Sequence, residues 1–159
     1  MKRKSVVWLV SVLVLSALLA GCGGGGGKNA PTAQQEINSI IDRFQNGIKN
    51  KDLTGVDSFL ASTVHFVLED DEWWYINDDF SRTEFKAILV SILAGWDTIL
   101  DYKIKDRQMI IGDTEATVRA VEYTRGIIGG VTNDSTGTVT VVFRKANESW
   151  FITSLSLYY

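Results

Sequence analysis

Between Leu68 and Phe80 the chain reads LEDDEWWYINDDF, six carboxylates and four large aromatics in thirteen residues. Glu69, Asp70, Asp71 and Glu72 offer hard oxygen donors, and calcium takes about six to eight of them. In a hairpin that sets Glu69 opposite Glu72, a cation would also relieve their repulsion. The run lacks the Asp-x-Asp-x-Asn-Gly spacing of an EF-hand loop, so a solvated acidic turn is the plainer reading. Trp73, Trp74 and Tyr75 suit a different chemistry. Alternation along a strand sends the two tryptophans to opposite faces, and an exposed aromatic at a pocket rim can stack on a sugar ring or clamp a peptide. Against this stands burial of both under helices. His65 is the only histidine, and on a strand it reads as a packed, hydrogen-bonded residue before it reads as a catalyst. With no second histidine and a single cysteine, a zinc site is not expected, nor is any cofactor. No nucleophile elbow, phosphate loop or dinucleotide fingerprint occurs.

One further pair of residues has acid–base potential. Arg119 and Arg125 mark the solvent side of their strand, because unpaired charges avoid a core. The opposite parity is then Ala116, Val118, Ala120 and Glu122. A carboxylate following three small or apolar inward positions is unusual. Tyr102 shares an inward face with Leu100 and Ile104. A buried Glu122 beside the Tyr102 hydroxyl makes a base and a donor for proton transfer, since desolvation raises a carboxyl pKa. A bulge that flips the strand would instead leave Glu122 in water.

These residues must be positioned by a short list of elements. Thr32-Ala-Gln-Gln35 reads as a capping box, and Ile37, Ile40, Ile41, Phe44 and Ile48 recur at helical spacing behind it. After a break at Asn50-Lys-Asp52, with Asp52 as N-cap, Leu53, Val56, Phe59 and Leu60 form the buried face of a second, short helix. Val64–Val67 and Trp73–Ile76 switch to β-type residues and predict a hairpin that pairs Leu68 with Trp73 and Phe66 with Tyr75. Ile76 then shares a face with His65. Ser81-Arg-Thr-Glu84 is a second capping box, opening a third helix with Asp78 and Asp79 just before its positive end. From Thr98 the period becomes two, with turns at Gly112-Asp113 and Ala146–Ser149. Gly126–Gly137 reads as a long mobile hairpin tip. Phe151, Leu155 and Leu157 close the core, which leaves Trp150, Ile152, Thr140 and Val142 on the outer face as a half-apolar surface for a homodimer. The resulting class is α+β: three N-terminal helices packed on a curved, mainly antiparallel sheet.

The segments "RFQNGIKNKDLTGVDSFLASTVHFV" (Arg43–Val67), "SRTEFKAIL" (Ser81–Leu89), "IIGDTEATVRA" (Ile110–Ala120) and "GTVTVVFRKANESWFITSLSL" (Gly137–Leu157) resemble the NTF2-like superfamily. It includes the SnoaL-like polyketide cyclases and the ketosteroid isomerases and shares a cystatin-like fold. The resemblance spans nearly all of Thr32–Tyr159. It implies a cone with a pocket between helices and sheet, in a family holding enzymes, ligand binders, dimerising modules and non-catalytic appendages. Ketosteroid isomerases pair a carboxylate base with a tyrosine-containing oxyanion hole, which adds weight to Glu122 and Tyr102.

The N-terminus carries a separate signal. Met1–Lys4 is basic, Val6–Ala20 is an apolar run of fifteen residues, and Leu19-Ala20-Gly21-Cys22 resembles the lipobox of bacterial lipoproteins. The run suits a signal peptide and is short for a membrane span of about twenty residues. Cys22 is the only cysteine, and lipidation accounts for it. The expected organisation is a signal peptide over 1–21, an acylated Cys22 with a glycine-rich tether to 31, and one domain over 32–159. The formal net charge is −3, or −6 without Lys2, Arg3 and Lys4. Such a domain is repelled by nucleic acid and anionic lipid. The reading is a lipid-anchored protein outside the cytoplasmic membrane, in the cell or outer membrane. It binds a small ligand or an envelope protein, leaning away from catalysis. The alternatives are an isomerase- or cyclase-like enzyme and a dimerisation module.

Overall fold

The computed structural model describes residues 31–70 and 75–159. Along them run α1 (Ala33–Asn50), a 3-10 turn (Val56–Phe59), β1 (Leu60–Glu69), β2 (Tyr75–Ser81), α2 (Arg82–Ala94), β3 (Thr98–Ile111), β4 (Glu115–Ile128), β5 (Val131–Ala146) and β6 (Ser149–Tyr158). Both capping boxes form. The Thr32 hydroxyl accepts from the Gln35 amide, and the Ser81 hydroxyl accepts from that of Glu84. The expected three helices reduce to two. Between them lies one four-residue 3-10 turn, entered through Gly55 at φ 84°. Asp52 caps no helix; its Oδ1 accepts from the Thr54 amide. Leu53, Val56, Phe59 and Leu60 are nevertheless buried, so the apolar pattern was satisfied without a full helix.

The six strands form one sheet in the order β2-β1-β6-β5-β4-β3, antiparallel throughout except where β1 runs parallel to β6. The first hairpin has a different register from the expected one. Leu68 pairs with Ile76, Phe66 with Asp78 and Val64 with Phe80. The slip is an odd number of residues, so it exchanges faces: Ile76 shares a side with Leu68, not with His65. Asp78 and Asp79 belong to β2, and Glu69 faces Tyr75 rather than Glu72.

Bulges account for the remaining differences. One near Leu100 turns Ile99 inward and leaves Leu100 exposed. Another at Thr153 gives β6 one extra residue, so Trp150 and Ile152 point into the core ahead of it and Leu155 behind it. Trp150 and Ile152 therefore belong to the core, and Phe151 lies on the opposite face, half-buried. The expected tip at Gly126–Gly137 is strand: β4 and β5 are joined by Gly129-Gly130 alone, at φ 58° and 77°. Two successive positive φ values are what a tight hairpin turn needs, and glycine supplies them without steric cost.

Candidate functional site

Between α2 and the inner face of the sheet lies a cavity of about 720 Å³, within the range of small-molecule sites. Helix α2 contributes Ile88 and Ile92, half-buried beside its core-facing Phe85, Leu89 and Leu93. Phe44 and Ile48 of α1, Leu68 of β1, Ile99 of β3 and Leu155 and Leu157 of β6 add to the apolar lining.

Glu122 reaches this space from β4. Alternation places Ala116, Val118, Ala120 and Glu122 on the inner face, with Arg119 and Arg125 exposed on the other. Its strand neighbours are Ile104 on one side and Gly137 on the other, and Tyr102 pairs with Thr124 one step along. Glu122 is 2 % exposed. The Thr124 hydroxyl donates to Oε1 at 2.7 Å, while Oε2 has no hydrogen-bond partner. Burial raises the carboxyl above the usual carboxylate range; the Thr124 hydrogen bond and the nearby Tyr159 and Tyr102 hydroxyls pull in the opposite direction. Neither tyrosine completes a well-formed hydrogen bond to Oε2. Both phenols are themselves pushed up, by burial first and then by the Glu122 charge, so they stay protonated as donors.

Two strand glycines seat the aromatic walls. A Cβ on Gly137 would lie 2.8 Å from the Tyr159 ring and 2.6 Å from the Tyr158 carbonyl oxygen; one on Gly126 would lie 2.5 Å from the Trp96 ring. The chain end is held by the Tyr159 amide, which donates to the Glu69 carbonyl at 3.0 Å. Tyr159, Trp96 and Thr124 escaped the sequence reading. Thr124 carried a signal, being on the same parity as Glu122. Gly137 carried a weaker one, since an isolated glycine within a strand marks a close approach.

The other candidates lie elsewhere. His65 is partly exposed on β1, its Nδ1 2.9 Å from Asp79 Oδ1, and is not part of the cavity lining. Tyr75 is 72 % exposed and its hydroxyl accepts from Asn77. Asp70 lines the cavity, whereas Glu69 is exposed. Asp71, Glu72, Trp73 and Trp74 lie outside the described residues, as does Cys22. Among the described residues no group of three or more His, Cys, Asp or Glu side chains is placed to hold a metal, and no helix is long and apolar enough to cross a membrane.

What this arrangement can do is hold a mainly apolar molecule and present to it one carboxyl with a shifted proton affinity and two phenol donors. Solved structures share the fold. An NTF2-like protein from Cytophaga hutchinsonii superposes with a TM-score of 0.64 at 14% identity, covering 80% of this chain and 98% of the other. A candidate dehydratase of the NTF2-like family from Streptomyces avermitilis gives 0.64 at 17%, covering 79% and 94%. An NTF2-like protein with a cystatin-like fold from Novosphingobium aromaticivorans gives 0.62 at 12%, covering 79% and 80%. At these identities the likeness establishes fold and not chemistry. No curated protein matches the sequence. The model of the SnoaL-like domain family matches residues 37–157, which contain most of α1, all of α2, nearly the whole sheet and Glu122. The chain therefore belongs to the SnoaL-like domain family and has an NTF2-like α+β fold.

Proposed function

We propose that this SnoaL-like domain, tethered to a bacterial membrane through an acylated Cys22, binds a small and largely apolar molecule in the cavity beneath α2 without transforming it. One observation carries the reading: an apolar cavity of about 720 Å³ holds a single buried carboxylate whose Oε2 has no partner within the protein. An unpaired buried polar atom costs about 1–3 kcal/mol, a cost that a ligand able to pair with it recovers. The lipobox-like Leu19–Cys22, the basic Met1–Lys4 and the lone cysteine support the anchored, extracytoplasmic placement. Native mass spectrometry of the protein purified from its host tests the binding function. An organic adduct released on denaturation is the expected outcome. A protein that carries none, and takes up none from a lipid extract of the host, contradicts it.

A second reading uses the same residues. The raised carboxyl of Glu122 suits a general base, and Tyr102 and Tyr159 suit donors to an oxygen that gains charge. Incubation with the captured molecule separates the two. If the molecule is recovered unchanged, the protein is a binder. If wild type converts it and Glu122→Gln holds it unconverted, the protein is an enzyme.

A further inference from the structure

We propose that the cavity selects a hydrophobic cation, an apolar molecule whose protonated amine seats against Glu122. This rests on the reading of the cavity as a ligand site and adds the chemical class of the ligand.

The lining carries the argument. Among the described residues, every polar side chain lining the cavity is a carboxylate, a hydroxyl or an indole N–H, with Asp70 and Glu122 the two acids. No lysine, arginine or histidine is among them. Nearby basic groups are engaged elsewhere: Lys49 and Lys103 with Asp101, and Arg125 with Asp134. Glu122 thus has no counter-charge from the fold, and its single hydrogen bond satisfies Oε1 only. A buried carboxylate is stabilised by a cation that also supplies hydrogen bonds, and an ammonium supplies both. One N–H would meet Oε2, and the phenol oxygens of Tyr102 and Tyr159 can accept others. The aromatic faces of Trp96, Tyr102 and Tyr159 suit a cation as well. A ligand carboxylate would instead be placed against the Glu122 carboxylate, like charge against like. A neutral alcohol pairs with the site but leaves the charge uncompensated.

The test compares three probes that share a naphthylmethyl group and end in an amine, a hydroxyl or a carboxylate, titrated into the whole mature protein by calorimetry at neutral pH. The amine is expected to bind tighter than the alcohol by at least about tenfold, with the carboxylate weakest. Glu122→Gln is expected to abolish the amine's advantage while the alcohol still binds, and Asp70→Asn to retain most of it. In wild type the amine's affinity falls on acidification and the alcohol's does not. The titratable groups facing Glu122 are Tyr102, Tyr159 and, at the lining, Asp70; the phenols remain protonated throughout. This wild-type profile decides the matter if the Glu122 variant does not fold. An alcohol or carboxylate bound as tightly as the amine overturns the inference and leaves the cavity reading standing. Loss of the preference in Asp70→Asn overturns the assignment to Glu122. Failure of all three probes to bind overturns the cavity reading, and the choice of a cation with it.

Discussion

Glu122 is costly to the fold that holds it. Its carboxyl pKa is raised, mainly by burial, so folding favours the protonated form. The sign follows from linkage: this group's contribution to stability is fully present below the ordinary carboxylate range and is lost as pH rises through the raised, folded value. Glu122→Gln carries no such loss. Its melting temperature is expected to exceed that of wild type at neutral pH, and the difference to shrink on acidification, as a pair of thermal melts at two pH values will show. Equal differences at both would mean that Glu122 is not desolvated. A residue retained at the expense of stability is characteristic of a site that serves something other than folding. The arginines at 119 and 125 offered an inward direction for Glu122 provided that no bulge intervened, and the register of β4 with β5 runs unbroken from Arg119 to Arg125. The unpaired oxygen of Glu122 was not legible, since that depends on Thr124, Tyr102 and Tyr159 arriving from three places in the chain.

Elements were legible where a local signal specifies them and misread where a bulge intervenes. The capping boxes at Thr32 and Ser81 start both helices as written, because the partners lie three residues apart. Strand parity failed at Leu100 and Thr153, where one extra residue reverses the alternation, and at the first hairpin, where the turn sets the register. A third bulge, at Asp106 (φ 56°), lets Arg107 reach back to α1. Its guanidinium donates to the Ile104 carbonyl, to Asn38 at 2.9 Å and to Asp42 at 2.7 Å, while Gln45 accepts from the Ile104 amide. Arg107→Ala removes the ties to Asn38 and Asp42 while leaving that of Gln45 to Ile104, and is expected to cost about 1–2 kcal/mol, discounted because Asp42 faces solvent; urea denaturation measures it. Gly137→Ala forces a methyl into the Tyr158 carbonyl and the Tyr159 ring. It is expected to cost about 1–3 kcal/mol and to weaken ligand binding, since Tyr159 must leave the wall. A variant with unchanged melting temperature and unchanged affinity would show that the wall is not built this way.

For the whole molecule, two changes separate anchoring from binding. Cys22→Ala is expected to move the protein from the membrane fraction to the soluble one, because two or more acyl chains are needed for stable anchoring. Cell fractionation reads this directly. Ile92→Trp, on the cavity side of α2, is expected to fill the space and weaken ligand binding by about tenfold or more without lowering the melting temperature. The class, the succession of six strands and the starts of α1 and α2 were determined by the sequence alone, because apolar periodicity and capping act over a few residues; the helix expected after Asp52 was not, and is a 3-10 turn. For Glu122 the charge pattern of its own strand offered an inward direction, and the unbroken register of β4 with β5 decided it. Only the tertiary structure decided that this carboxyl lies in a cavity, that the chain's last residue walls it, and that glycines at 126 and 137 make room for rings instead of loosening a loop. Those contacts join β3, β4, β5 and the end of β6 across many residues of sequence, and their geometry depends on bulges and close approaches that leave no periodic trace.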